Sequence, residues 1–170
     1  IADFAGLKEP GQINPYLYSL INHLRLVKRV DPIGDKKKRG RYVFSDPFFQ
    51  FWYKYIHTNR SILELGNSQI VADIIVKELS TYIGRGVEDV IRQLIAAYNG
   101  HDFAGLHLNL RELGSWWARS GDPEIDIVGI GPDYALLGEI EWSNKPARTE
   151  LLYGLLNKSK FFPVRLPHRY

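Results

Sequence analysis

The stretch from Glu124 to Trp142, EIDIVGIGPDYALLGEIEW, constrains the fold more than any other part of the chain. Two runs alternate acidic or polar residues with apolar ones at period two, the pattern of half-buried strands, and Gly131-Pro132-Asp133-Tyr134 between them is turn chemistry. A hairpin closed by those residues pairs Ile130 with Ala135, which sets Asp126 opposite Glu139 and Glu124 opposite Glu141. All four carboxylates then share one face. Ile125, Ile127, Leu136 and Ile140 line the other, and Gly129 and Gly138 leave room for close packing. Like charges facing each other across a ladder destabilise it unless a cation, a basic side chain or a raised pKa relieves them. This hairpin therefore demands a counter-charge.

The whole chain has 170 residues, 45% hydrophobic and 13% aromatic, enough for a sizeable core in one domain or two small ones. The absence of cysteine excludes disulfides and thiolate metal sites and suits a reducing cytoplasm, the expected location. No apolar run approaches the ~20 residues that span a bilayer, and no signal peptide is visible, so no membrane partner is expected. A formal charge of +3 does not announce nucleic-acid binding by itself, so the distribution of basic residues matters more than their total. A chain that opens on Ile1 and contains no methionine is expected to be a piece of a longer protein.

Asn14 and Pro15 suit the start of a helix in which Leu17, Leu20, Ile21 and Leu24 form one buried stripe. Two strand-like pieces follow, residues 26–30 and 41–45, joined by DPIGDKKKRG. Helix, turn, helix and a hairpin with a basic tip is the plan of a winged helix, in which Lys36, Lys37, Lys38 and Arg39 would touch DNA phosphates without reading sequence. A charge run on a hairpin tip is also often merely solvated, and winged helices also bind proteins. Next, SDPFFQFWYKYI has a capping residue, a proline at the first helical position and apolar residues nearly all round, which predicts a buried bridging helix.

In order, LVKRV, the basic loop, RYVFSDPFFQFWYKYI, YIGRGVEDVIRQL, SWWAR, EIDIV and LLGEIEWSNK resemble the C-terminal region of archaeal-type P-loop ATPases, over residues 1–160. The resemblance implies an α/β (α+β) fold: a winged helix over residues 1–57, then a PD-(D/E)XK, restriction-endonuclease-like core over 58–170 with a three-stranded or larger mixed sheet flanked by helices. It also implies an upstream ATPase domain as partner. No G-x-x-x-x-G-K-[ST] stretch is present, so ATP hydrolysis is not expected of these residues.

In the second half, residues 58–68 read as a polar connector. A helix follows that Gly84-Arg85-Gly86 should break, and a second helix carries Glu88 in its first turn, on the side of Ile91 and Ile95. An acid there complements the helix dipole as readily as it binds an ion. His101 and His107 fit no metal-ligand spacing. With Ser120 to Pro123 as a turn, SWWARS pairs Trp117 with Asp126 and Arg119 with Glu124. Ser143, Asn144 and Pro146 suit the start of a last helix.

Phosphodiester hydrolysis assisted by a hard cation needs converging oxygen ligands. Asp126 and Glu139, joined by Glu88 and the Ile140 carbonyl, would hold Mg2+ or Mn2+. In the nucleases this region resembles, the residue two after the second acid is usually lysine; here it is Glu141, so Glu141 itself, or Lys145 leaning in from the next helix, would serve the attacking water. Loss of that lysine equally suits a decayed site in a regulatory or protein-interaction module.

Overall fold

The computed structural model describes residues 9–34 and 40–163, so the basic tip Lys36, Lys37, Lys38 and Arg39 lies outside the described residues. The chain divides into two units, residues 1–30 with 40–75 and residues 31–39 with 76–170.

In the first unit the chain winds as a 3-10 turn (Pro10–Ile13), passes into α1 (Asn14–Tyr18) and ends in π-type winding (Ser19–His23). Pro10, with no N–H to satisfy, suits the opening turn. Leu17, Leu20 and Ile21 are half-buried as their spacing predicts. Leu24 is exposed, because the helix has ended and Arg25 turns the chain with φ 54° toward the first strand. Strands β1 (Val27–Val30) and β2 (Arg41–Phe44) pair antiparallel from Val27↔Phe44 to Val30↔Arg41.

Helix α2 (Pro47–Phe51) continues in π-type winding (Trp52–His57), and its start is the expected one: Asp46 Oδ1 accepts from the N–H groups of Phe48 at 2.7 Å and Phe49 at 3.2 Å. Its burial is not as expected. Tyr55 is 1% exposed, but Phe48 is 76% exposed and Trp52 is exposed as well. The hairpin offers a helix one surface to pack on, and one stripe uses it, with the Phe44 ring 5.6 Å from Phe49 and 5.8 Å from Tyr53. The expected polar connector contains a short helix, α3 (Arg60–Glu64), with an Arg60 to Glu64 ion pair at 2.6 Å.

Helix α4 (Ser68–Ala97) runs for 30 residues without the break expected at Gly84-Arg85-Gly86. Glycine in a helix interior costs about 1 kcal/mol, which a long periodic helix absorbs. Gly84 has a packing reason: a Cβ built there would lie 3.3 Å from Trp142 Cβ. Glu88 consequently sits in mid-helix, and dipole complementation does not account for it.

After a small hairpin of β3 (Asp102–Phe103) and β4 (Leu106–His107), three strands form an antiparallel sheet in the order β5 (Glu112–Trp117), β6 (Glu124–Ile130), β7 (Ala135–Gly138). Every strand pair described is antiparallel, so the expected mixed sheet is not seen among the described residues. The central hairpin has the register read from its turn, Ile130↔Ala135 through Ile127↔Gly138. The β5–β6 register differs from expectation: Trp117 faces Glu124 rather than Asp126, and Arg119 lies in the connecting turn. That turn is wider than Ser120 to Pro123 because the Ala118 N–H donates to the Pro123 carbonyl, and a bulge between Gly114 and Trp116 shifts the ladder again.

Both sheet faces are covered. Ile127, Leu136 and Ile140 pack with Leu108 and with Ile91 and Ile95 of α4, whereas Val128, Ile130 and Leu137 pack with Trp116 and with Leu155 of α5 (Thr149–Ser159). Ile125, expected beside Ile127, packs instead with Trp116 and Val128. Helix α5 starts at Thr149 rather than at Ser143 or Asn144; the Ser143 hydroxyl accepts from the Lys145 N–H at 3.1 Å and closes a local turn. No helix among the described residues is long and apolar enough to cross a membrane.

Candidate functional site

Strand β7 stops pairing at Gly138, one residue before the first of its acids. Beyond that point the Asp126 side chain takes over as acceptor: its Oδ2 receives the Ile140 N–H at 2.9 Å. That bond ties Asp126 to the segment carrying Glu139, the residue the hairpin register sets opposite it.

The Glu139 side chain is only 10% exposed. Lys158 Nζ, reaching over from α5, donates to its Oε2 at 2.7 Å. Its other oxygen, Oε1, is buried and has no hydrogen-bond partner among the described residues. Burial pushes the Glu139 carboxyl above the ordinary glutamate value, and nearby Asp126 adds to this, against the opposing pull of Lys158.

Glu88 faces the same region from α4. Burial raises its pKa first and Asp126 second, while Arg92 one turn along lowers it. Arg92 is the fastener here: Nη1 donates to the Asp126 carbonyl at 2.8 Å and lies 3.9 Å from Glu88 Oε2, and its other nitrogen bonds Asp89. Thus Glu88 and Glu139 each lie within electrostatic reach of Asp126. Among the described residues, however, no three histidine, aspartate or glutamate side chains converge closely enough to hold an ion as they stand.

Glu141 and Lys145 follow in the exposed segment between β7 and α5. His107 is occupied by Asp102 at 2.8 Å, in an exposed pair with no bearing on the acids.

Arg92 and Lys158 are the two cations sequence reasoning missed. Each carries a signal in hindsight: Lys158 falls three residues after Leu155 and seven after Leu151, on the inner stripe of α5, and Arg92 lies four residues after Glu88. A basic residue on the apolar stripe of an amphipathic helix points at something acidic.

Set against known proteins, residues 52–152 match DUF234, described as archaeal and bacterial proteins of unknown function. That range includes Glu88, Asp126, Glu139, Glu141 and Lys145. The chain is also similar to the uncharacterized protein MJECL04 of Methanocaldococcus jannaschii, 30% identical over 166 residues, a match covering 94% of this chain and 36% of that relative. The chain thus spans about a third of the length of the curated relative it matches. No solved structure matches it.

Proposed function

We propose, from the premise that the chain belongs to the DUF234 family of archaeal and bacterial proteins of unknown function, that its second unit is a nuclease-like core with a Mg2+- or Mn2+-dependent site for phosphodiester hydrolysis on DNA. In this reading residues 1–57 form a winged helix that holds the DNA, with Lys36, Lys37, Lys38 and Arg39 on the phosphates. The whole is the C-terminal part of a larger archaeal-type ATPase.

The observation that carries the proposal is the buried, unpartnered Oε1 of Glu139 beside Asp126. A carboxylate oxygen shut away from water and given no donor is costly, and a hard cation with oxygen ligands relieves it. Asp126 and Glu139 would hold the ion, with Glu88 and the Ile140 carbonyl completing the oxygen set. When bound, the ion supplies Lewis-acid polarisation of the phosphate. Asp126 stays oriented by the Ile140 N–H and Glu88 by Arg92. Exposed Glu141 takes the proton of the attacking water as the new P–O bond forms and the P–O bond to the leaving strand end breaks, and Lys145 offers a cation to the phosphate.

The Lys158 to Glu139 bond favours a second reading, in which the acids are already neutralised and the unit is an inert regulatory or protein-interaction module of the ATPase. Supercoiled DNA separates the two. Nicking that needs Mg2+ or Mn2+ and disappears in Asp126→Ala supports the enzyme; no cleavage and no cation-dependent stabilisation supports the module. The wing is tested independently, since changing Lys36, Lys37, Lys38 and Arg39 to alanine should weaken DNA binding and flatten its salt dependence.

A further inference from the structure

Glu139 is satisfied on one side only. Its Oε2 holds the Lys158 ammonium at 2.7 Å while Oε1 is buried without a partner. The two partners also differ in freedom: the glutamate side chain is 10% exposed and the lysine 34%, so the acid is enclosed and the ammonium, on its flexible four-carbon stem, has a way out to solvent.

We infer that Lys158 is a specificity-determining residue of this acidic site, a tethered monovalent cation that a divalent ion displaces from Glu139 and that Na+ or K+ does not. The inference rests on the reading of Asp126 and Glu139 as ion ligands. An ion on Oε1 stands beside the ammonium on Oε2, and two positive charges that close in a half-buried site repel strongly, so ion binding and the Lys158 bond compete. The competition is unequal. A tethered ammonium meets free Na+ or K+ with the same single charge and the advantage of being already in place. A divalent ion doubles the attraction to every carboxylate it meets, and here Asp126 adds its own to that of Glu139. Arg92 does not play this part: its guanidinium bonds the Asp126 carbonyl and Asp89 and lies 3.9 Å from Glu88 Oε2, whereas it is Lys158 that holds Glu139.

The test is a Mn2+ titration at neutral pH, followed by calorimetry and by the Mn2+ electron-spin signal, on the whole chain and on Lys158→Met, Lys158→Arg and Asp126→Asn. Lys158→Met should bind Mn2+ about 10- to 100-fold more tightly than the parent, and about 0.2 M KCl should erase much of that gain as K+ enters the vacated place. Lys158→Arg, which keeps the charge, should stay within about threefold of the parent. Unchanged or weaker Mn2+ binding in Lys158→Met, while Asp126→Asn loses the ion, overturns the role of Lys158 and leaves the ion site standing. Should neither the parent nor Lys158→Met bind Mn2+, or should Asp126→Asn bind as the parent does, the site itself falls and this inference with it. Lys158→Gln repeats the measurement if Lys158→Met does not fold.

Discussion

The helix that begins at Pro47 and the hairpin of β6 and β7 are both rich in large apolar side chains, yet the protein treats them oppositely. In the hairpin Ile125 and Val128 are fully enclosed and Ile127 nearly so, whereas in the helix Phe48 and Trp52 are exposed and Tyr55 alone is buried. The difference lies in the layers available. Strand β6 is central in its sheet and has α4 on one face and α5 on the other, so every alternate residue finds a partner. The helix rests on a two-stranded hairpin and can spend one stripe there. Apolar content states what a segment can bury; the number of neighbouring layers decides what it does bury.

Truncation gives the bluntest attempt to break that contrast. Leu108→Ala, at a side chain with no exposure, should cost about 2–5 kcal/mol in a denaturant titration, and Ile125→Ala a similar amount. Phe48→Ala should change stability by no more than about 0.5 kcal/mol despite removing a larger side chain. A loss of several kcal/mol at Phe48 would mean that the helix is packed in a way its exposure denies.

The contrast also shows what was legible in the sequence. The β6–β7 register was, because the turn chemistry of Gly131-Pro132-Asp133-Tyr134 sets where the two strands meet. From its place on the side of Ile91 and Ile95, Glu88 was legible only as pointing inward or along the edge of the core; it lies within electrostatic reach of Asp126. The β5–β6 register was hidden, since neither the bulge after Gly114 nor the Ala118 to Pro123 turn bond has a compositional mark. Lys158 was overlooked because local charge rules weigh neighbours in sequence while it meets a partner 19 residues away; the local pairs of Arg92 with Glu88 and Asp89 could be read, but not its bond to the Asp126 carbonyl 34 residues away. The unbroken α4 was misread from glycine, a residue that weakens a helix without forbidding it.

A subtler probe asks whether the acids are strained within the well-packed unit. Glu88 and Glu139 both have carboxyls raised in the folded state, chiefly by burial. The fold then binds more protons than the unfolded chain in the interval above the ordinary carboxylate value, so their contribution is complete below that value and is lost as pH rises through the raised ones. Melting temperature should fall from mildly acid toward neutral pH on account of these two groups. Glu139→Gln should flatten the slope, and Mn2+ at neutral pH should restore what was lost. A slope that is unchanged in both Glu139→Gln and Glu88→Gln would place its origin elsewhere.

The smallest effect is expected where the sequence reading and the structure disagree over α4. Gly86 has open space where a Cβ would stand, so Gly86→Ala should gain the helix-propensity difference, about 0.5–1 kcal/mol, with no contact to disturb. At Gly84 the same change brings a Cβ to 3.3 Å from Trp142 Cβ. Trp142 follows the acidic segment, so accommodating the methyl means moving the chain just beyond Glu141, and the gain should be smaller or reversed. Denaturant midpoints of the two variants decide the matter: an unbroken helix orders them with Gly86→Ala above the parent and above Gly84→Ala. A loss at Gly86 would instead mean that the chain needs glycine's freedom there, as a helix interrupted at that point would.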